Sequence, residues 1–185
     1  MKKTGFATVL FLCGATIAFA QQPAAKRPPA PADLATAIRN AYKQNQGFIV
    51  ASAEKWPADQ YGWKPAGLDK ELRTFGQVLV HIANENNAQC SRVLGTTEPK
   101  AFDDSTAAYT KAEATKIVKD SFAFCDPVFQ ALTNENMTEM VKIPGRAERA
   151  HATSLILDLA HSNEQYGMIM VYFAMKGMVP VSHQK

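Results

Sequence analysis

Four stretches of the chain repeat apolar residues at the three- and four-residue spacing that lays them along one helix face. The first runs from about Asp33 to Lys55, with Leu34, Ile38, Ala41, Phe48 and Ser52 roughly in register. Trp56-Pro57 stops it, because a residue before proline is steered out of the helical region. The second opens on Thr74-Phe75-Gly76-Gln77, in which the Thr hydroxyl caps a free amide and the Gln side chain reaches back. It continues through Val78, Leu79, Ile82 and Val93 to Leu94 and stops at Gly95. The third opens on the same device, Thr110-Lys111-Ala112-Glu113, and carries Ile117, Val118, Phe122, Cys125, Val128, Phe129 and Leu132. Pro127 inside it predicts a kink. The fourth extends from Ala150 towards Pro180 with Leu155, Leu159, Tyr166, Ile169, Met170 and Phe173 on one face. It ends at Gly177, which suits the left-handed conformation past a helix end. As the longest apolar stretch, it reads as the helix the other three pack around.

Sustained period-two alternation is missing, as are an internal repeat, a Gly-rich phosphate loop and a nucleophile elbow. The fold class is therefore all-α, a four-helix bundle. Simple up-down bundles use connections of roughly 2–8 residues, and all three here are longer. Gly95 to Thr110 could reach about 50 Å when extended, against about 30 Å for the second helix. That linker can return along the bundle and let helix three run parallel to helix two. Tyr61, Trp63 and Pro65 in the first linker are expected to cover a bundle end or groove. In the third, Pro144-Gly145 signals a turn, and Met137, Met140, Val141 and Ile143 could fold it back on the core.

The first 32 residues have a different character. Met1-Lys2-Lys3, an apolar run from Phe6 to Phe19 and Ala18-Phe19-Ala20 before Gln21 make a secretory signal peptide over residues 1–20. The run is short for a membrane span, which needs about 20 residues, and Leu12 before Cys13 argues against a lipoprotein. Residues 21–32 are Pro/Ala-rich and read as a disordered tether. The folded domain is then 33–185, exported to the periplasm or secreted, with no stable membrane span after signal removal. Of the net charge of +3, Lys2 and Lys3 supply two, so the remainder is nearly neutral and gives no reason to expect nucleic acid. After signal removal only Cys90 and Cys125 remain. Parallel helices two and three would bring both to one end of the bundle, and an oxidising compartment would favour a disulfide. Two buried thiols are the alternative.

Further local features group together. Asp59-Gln60-Tyr61-Gly62-Trp63-Lys64-Pro65 follows helix one, and Arg73-Thr74-Phe75-Gly76-Gln77 leads to His81-Ile82-Ala83. His161-Ser162-Asn163-Glu164-Gln165-Tyr166-Gly167 precedes Tyr172, Lys176-Gly177 and Val179-Pro180. From about Asp33 to Pro180 the chain resembles the DinB-like superfamily, in particular its exported members. The resemblance implies a down-up-up-down bundle. It also implies a divalent metal, zinc or nickel, held by one histidine on helix two and two histidines four residues apart on helix four. His81 matches the first position and His161 the second. Gln165 stands in the third, on the right face but with a neutral amide in place of imidazole, a weak donor for zinc or nickel. Glu85, one turn after His81, is the substitute ligand. His151 and His183 lie off the site. Tyr166 and Tyr172 read as packing or cap residues, and Met168, Met170, Met175 and Met178 as core and end filler.

Two functions are therefore carried forward. One is an exported metal-dependent hydrolase or thiol-group transferase. The other is a non-catalytic bundle that has lost the metal and binds a small molecule or a protein partner. Catalytic residues are not identified, and a homodimer is open, since bundles of this kind often pair.

Overall fold

The computed structural model describes residues 33–67, 72–142 and 147–184. The signal peptide, the tether and the Ile143 and Pro144-Gly145 features lie outside the described residues. Four long helices dominate: α1 (Leu34–Lys55), α2 (Phe75–Leu94), α3 (Lys111–Gln130) and α4 (His151–Met175). Their ends follow the capping chemistry of the sequence. Asp33 accepts from Thr36 N at the start of α1, and Thr74 with Gln77 and Thr110 with Glu113 form complete capping boxes on α2 and α3. Gly95 and Gly177 take φ of 66° and 68° just beyond α2 and α4, where a side chain would be strained.

Cross-helix contacts fix the course of the chain. Gly76 faces Tyr109, Asn86 bonds Ser121, and Cys90 is joined to Cys125, so α2 and α3 climb together in parallel. The α2–α4 contacts run the other way, Arg73 to Tyr172 and His81 to His161. Phe48 with Tyr166 and Trp56 with Phe173 show α1 and α4 parallel, and Tyr42 with Phe129 and Glu54 with Lys119 show α1 and α3 antiparallel. The result is the down-up-up-down course that the family resemblance implies and the long linkers allow.

The linker between α2 and α3 does return along the bundle, pinned to the outside of α2. Asn84 exchanges two hydrogen bonds with the backbone of Phe102, at 2.9 and 3.0 Å. Gln77 Nε2 donates to Ser105 O at 3.1 Å and Ala107 O at 3.0 Å. Because this strap covers its outer side, Val78, Leu79 and Val80 are all buried although they point in different directions. The most enclosed helix is thus α2, not α4. Thirteen of the 20 residues of α2 are buried against ten of the 25 of α4, whose outer face leaves Ile156, Leu157, Val171 and Met175 in solvent.

An aromatic cluster closes one end. Trp56 stacks on Phe75 at 4.3 Å and meets Phe173 at 5.1 Å, while Tyr61 packs edge-on to Phe75. Pro65 is buried, and Lys176 lies 4.2 Å over the ring of Trp63. The first linker therefore covers the bundle end.

Helix α3 keeps Pro127 inside it and runs on to Gln130. Two details depart from the sequence pattern. The inward face of α1 is Ala35, Ile38, Tyr42, Asn45, Ile49, Ser52 and Ala53, so Leu34, which precedes Ala35, points outward and is exposed. Met140–Val141 pairs antiparallel with Arg149–Ala150, a bridge too short to leave a period-two signal. There Val141 is buried while Met140 is exposed.

Candidate functional site

His81 sits near the middle of α2 and His161 near the middle of α4, on faces that antiparallel packing turns towards each other. Their Nε2 atoms are 3.0 Å apart, with the rings edge-to-face. The far nitrogen of His81, Nδ1, lies 2.5 Å from Asp104 Oδ2. Asp104 belongs to the strap: each residue further along it meets a residue nearer the start of α2, so Asp104 falls level with His81. Arg73 holds it there. Its Nε donates to Asp104 O at 3.1 Å and its guanidinium approaches Asp104 Oδ2 at 3.6 Å. The Arg73 carbonyl in turn accepts from Tyr172 OH at 2.7 Å, tying the site to the aromatic end.

The tautomers follow from these partners. A carboxylate at Nδ1 fixes the proton of His81 there and leaves its Nε2 lone pair facing His161. Burial first, and then the neighbouring His81, hold the pKa of His161 below the ordinary imidazole value, so His161 is neutral at neutral pH. His161 Nδ1 is buried with no hydrogen-bond partner, and so is Gln165 Oε1. The Glu85 carboxylate accepts from Gln89 Nε2 at 2.5 Å, one turn further along α2.

A second polar group lies deeper between the helices. Asp158 is 1% exposed. With the Asn86 amide turned to suit its neighbours, the Asn86 nitrogen donates to Asp158 Oδ1 at 3.0 Å and to Ile82 O at 3.3 Å, and its oxygen accepts from Ser121 Oγ at 3.1 Å. Burial, with a smaller contribution from Glu85, pushes the Asp158 carboxyl up to about 8. A cleft of about 430 Å³ lies elsewhere, between α1 and α3. Its charged rim is already paired, Lys43 with Asp126 and Lys119 with Glu54.

These features are those of a helical bundle with an inward histidine pair, and the family model of the DinB superfamily matches residues 23–169. The chain belongs to the DinB superfamily. A crystal structure of a DinB-like protein from Bacillus cereus ATCC 10987 is similar, with a TM-score of 0.63 at 15% identity, covering 78% of this chain and 94% of that one. The conserved protein of Enterococcus faecalis aligns with a TM-score of 0.59 at 10% identity, over 77% of this chain and 95% of that one. At these identities the likeness is one of fold. No curated protein matches the chain.

Within this DinB bundle, then, the structure brings together His81 and His161, and it adds Asp104 from the Gly95–Thr110 linker. Asp103-Asp104 on a linker long enough to return along α2 was the available signal. Asp103 accepts from the Ser105 and Thr106 backbone amides, a local turn that lets its neighbour face the helix.

Donor geometry fits a divalent metal at two positions. Ligand nitrogens at about 2.0–2.1 Å from one ion lie about 2.9 Å apart at right angles and about 3.4 Å apart at the tetrahedral angle, a range that contains the observed 3.0 Å. A carboxylate on the far nitrogen of a ligating histidine is the usual outer support. The third position, Gln165, offers a neutral oxygen.

Proposed function

We propose that this is an exported DinB-like protein that holds a divalent metal between α2 and α4 through His81 and His161, with Gln165 as the weak third donor and Asp104 orienting His81. The observation that carries the reading is the 3.0 Å approach of two imidazole Nε2 atoms, one of them backed by a carboxylate. The orphaned Gln165 oxygen supports it, because a buried acceptor without a donor is costly. The reaction class is hydrolysis or thiol-group transfer, for which a bound metal supplies Lewis acidity. This chain's own residues keep His161 neutral, hold the His81 proton on Nδ1 and place the Arg73 guanidinium against Asp104. Support for export comes from the leader-like first 20 residues and from the Cys90–Cys125 pair. Among the described residues no helix is long and apolar enough to cross a membrane.

A second reading rests on the same contact taken as a hydrogen bond. His161 Nε2–H donating to His81 Nε2 would satisfy both atoms in a bundle that binds a small molecule without catalysis. Elemental analysis of protein purified without a metal-affinity resin separates the two. Under the metal reading, zinc or nickel is present at one equivalent, is lost in His161→Ala, and is bound more tightly in Gln165→His. Absence of metal under saturating zinc and nickel in both wild type and Gln165→His refutes it and leaves the second reading.

A further inference from the structure

Away from the histidines, three donors that this reading does not use meet in the interior. Cys90 on α2, Cys125 on α3 and Asp158 on α4 bring two sulfurs and a carboxylate oxygen within 4.8 Å of one another. The two cysteines are fully buried and Asp158 is 1% exposed. Among the described residues no other set of three His, Cys, Asp or Glu side chains converges in this way. The sulfurs are bonded to each other, so the carboxyl faces a disulfide that can neither donate a hydrogen bond nor neutralise charge. Its hydrogen-bond donor is the Asn86 amide, and the charge that acts on it, Glu85, has the same sign. A carboxylate buried without a cation is expensive, so the oxidised core keeps this group protonated.

A cation at this point removes the anomaly, provided the sulfurs are free to bind it. We propose that the reduced chain binds one zinc ion through Cys90 Sγ, Cys125 Sγ and the Asp158 carboxylate. Disulfide and metal are then alternative cross-links of α2, α3 and α4 at the same place. Two thiolates select a borderline-soft ion such as zinc over magnesium or calcium. Sulfurs at about 2.3 Å from a tetrahedral ion are about 3.8 Å apart, so the two sulfurs must separate from bonding distance on reduction, while the Asp158 oxygen already lies within 4.8 Å of both. The Asn86 amide on Asp158 Oδ1 would orient the carboxylate as outer-shell partners do.

The electron balance is closed. A phosphine or dithiol reductant supplies two electrons, the Cys90–Cys125 bond breaks, and each sulfur takes up one proton. Zinc then displaces both thiol protons and the carboxyl proton to solvent, staying divalent throughout. Reoxidation by a disulfide oxidant removes two electrons from the thiolates and expels the ion.

The test uses the full chain carrying His81→Ala and His161→Ala, so that the histidine site contributes nothing and its failure is separate. The protein is reduced and held without oxygen, and cobalt(II) is titrated as the spectroscopic probe. One equivalent binds with a sulfur-to-cobalt charge-transfer band, zinc displaces it, and the oxidised protein shows no such band. Adding Asp158→Asn weakens zinc binding on the order of tenfold or more, through loss of a charged ligand. That variant keeps the shape of the protonated carboxyl and so tests the ligand without emptying the core. If reduction alone loosens the bundle, zinc must restore the helical circular dichroism, because binding free energy is then folding free energy. A reduced protein with no charge-transfer band, zinc affinity indifferent to Asp158→Asn, or a reduced chain that zinc does not refold would each overturn the proposal.

Discussion

Replacing Asp158 by Asn should flatten the pH dependence of stability in the oxidised protein. The carboxyl is 1% exposed and is pushed up to about 8, whereas in the unfolded chain it returns to its ordinary value of 3.8. Between these two values the folded state holds a proton that the unfolded state has released. Stability from this group is therefore complete below the unfolded value, falls as pH rises through the window, and levels off above about 8. Each unit of pH inside the window removes up to about 1.4 kcal/mol, so going from about pH 5 to about pH 8 removes up to about 4 kcal/mol. That is a large part of the 5–15 kcal/mol or so that holds a typical domain together.

The side chain that Asp158→Asn introduces cannot ionise. It still offers an oxygen where the Asn86 amide donates at 3.0 Å. Its own amide adds a donor to a closed interior, which costs about 1–3 kcal/mol at every pH if left unpaired. The informative quantity is therefore the slope of the difference between variant and wild type, not its offset. His161, held low by burial, titrates in both proteins and cancels from the difference. Urea denaturation with the disulfide intact, repeated at half-unit steps of pH, gives that difference directly. The variant should gain on wild type steadily as pH rises towards 8. Parallel curves over this range would mean that Asp158 is ionised in the folded state, and the account of a neutral buried carboxyl would fail.

Three further outcomes follow from the same interior. Cys90→Ser with Cys125→Ser removes a cross-link closing a loop of 35 residues, and the chain-entropy model puts the loss at about 4 kcal/mol, read from the denaturation midpoint. Asp104→Asn leaves His81 with a weaker acceptor on Nδ1 and should lower metal affinity about 10–100-fold by competition with a chelating dye, with little change in melting temperature. Trp56→Ala opens a cavity beneath Phe75 and Phe173 and should cost about 3–5 kcal/mol in the same unfolding assay.

Much of the bundle can be read from local rules. Thr74-x-x-Gln and Thr110-x-x-Glu mark helix starts, Trp56-Pro57, Gly95 and Gly177 mark stops, and each mark works through atoms within a few residues. The parallel course of α2 and α3 is permitted by linker length, because only a long linker can return along a helix. The inward face of α1 does not follow local rules. Tyr42 and Asn45 are polar enough to look like surface residues, yet Tyr42 stacks on Phe129 at 3.7 Å and Asn45 is 3% exposed. Position within the packed bundle overrides hydropathy there.

The site divides along the same line. His81 and His161 could be placed at one level by counting residues along two antiparallel helices, since a helix rises by about 1.5 Å per residue whatever its sequence. Asp104 could not be placed that way, because a strap has no fixed rise. Its level is set by Asn84 and Gln77 gripping the backbone of Phe102, Ser105 and Ala107, and these bonds exist only once the strap has been laid down. Asp158 shows the opposite limit. Leu155 three residues before it and His161 three residues after it turn Asp158 inward, but nothing on its own helix shows what it meets there. Its environment is built by Asn86 and Ser121 of two other helices and by the sulfurs that join those helices. Residues whose chemistry depends on a single helix face are thus visible in sequence. Those whose chemistry depends on where two or three elements cross become visible only when the crossing is seen.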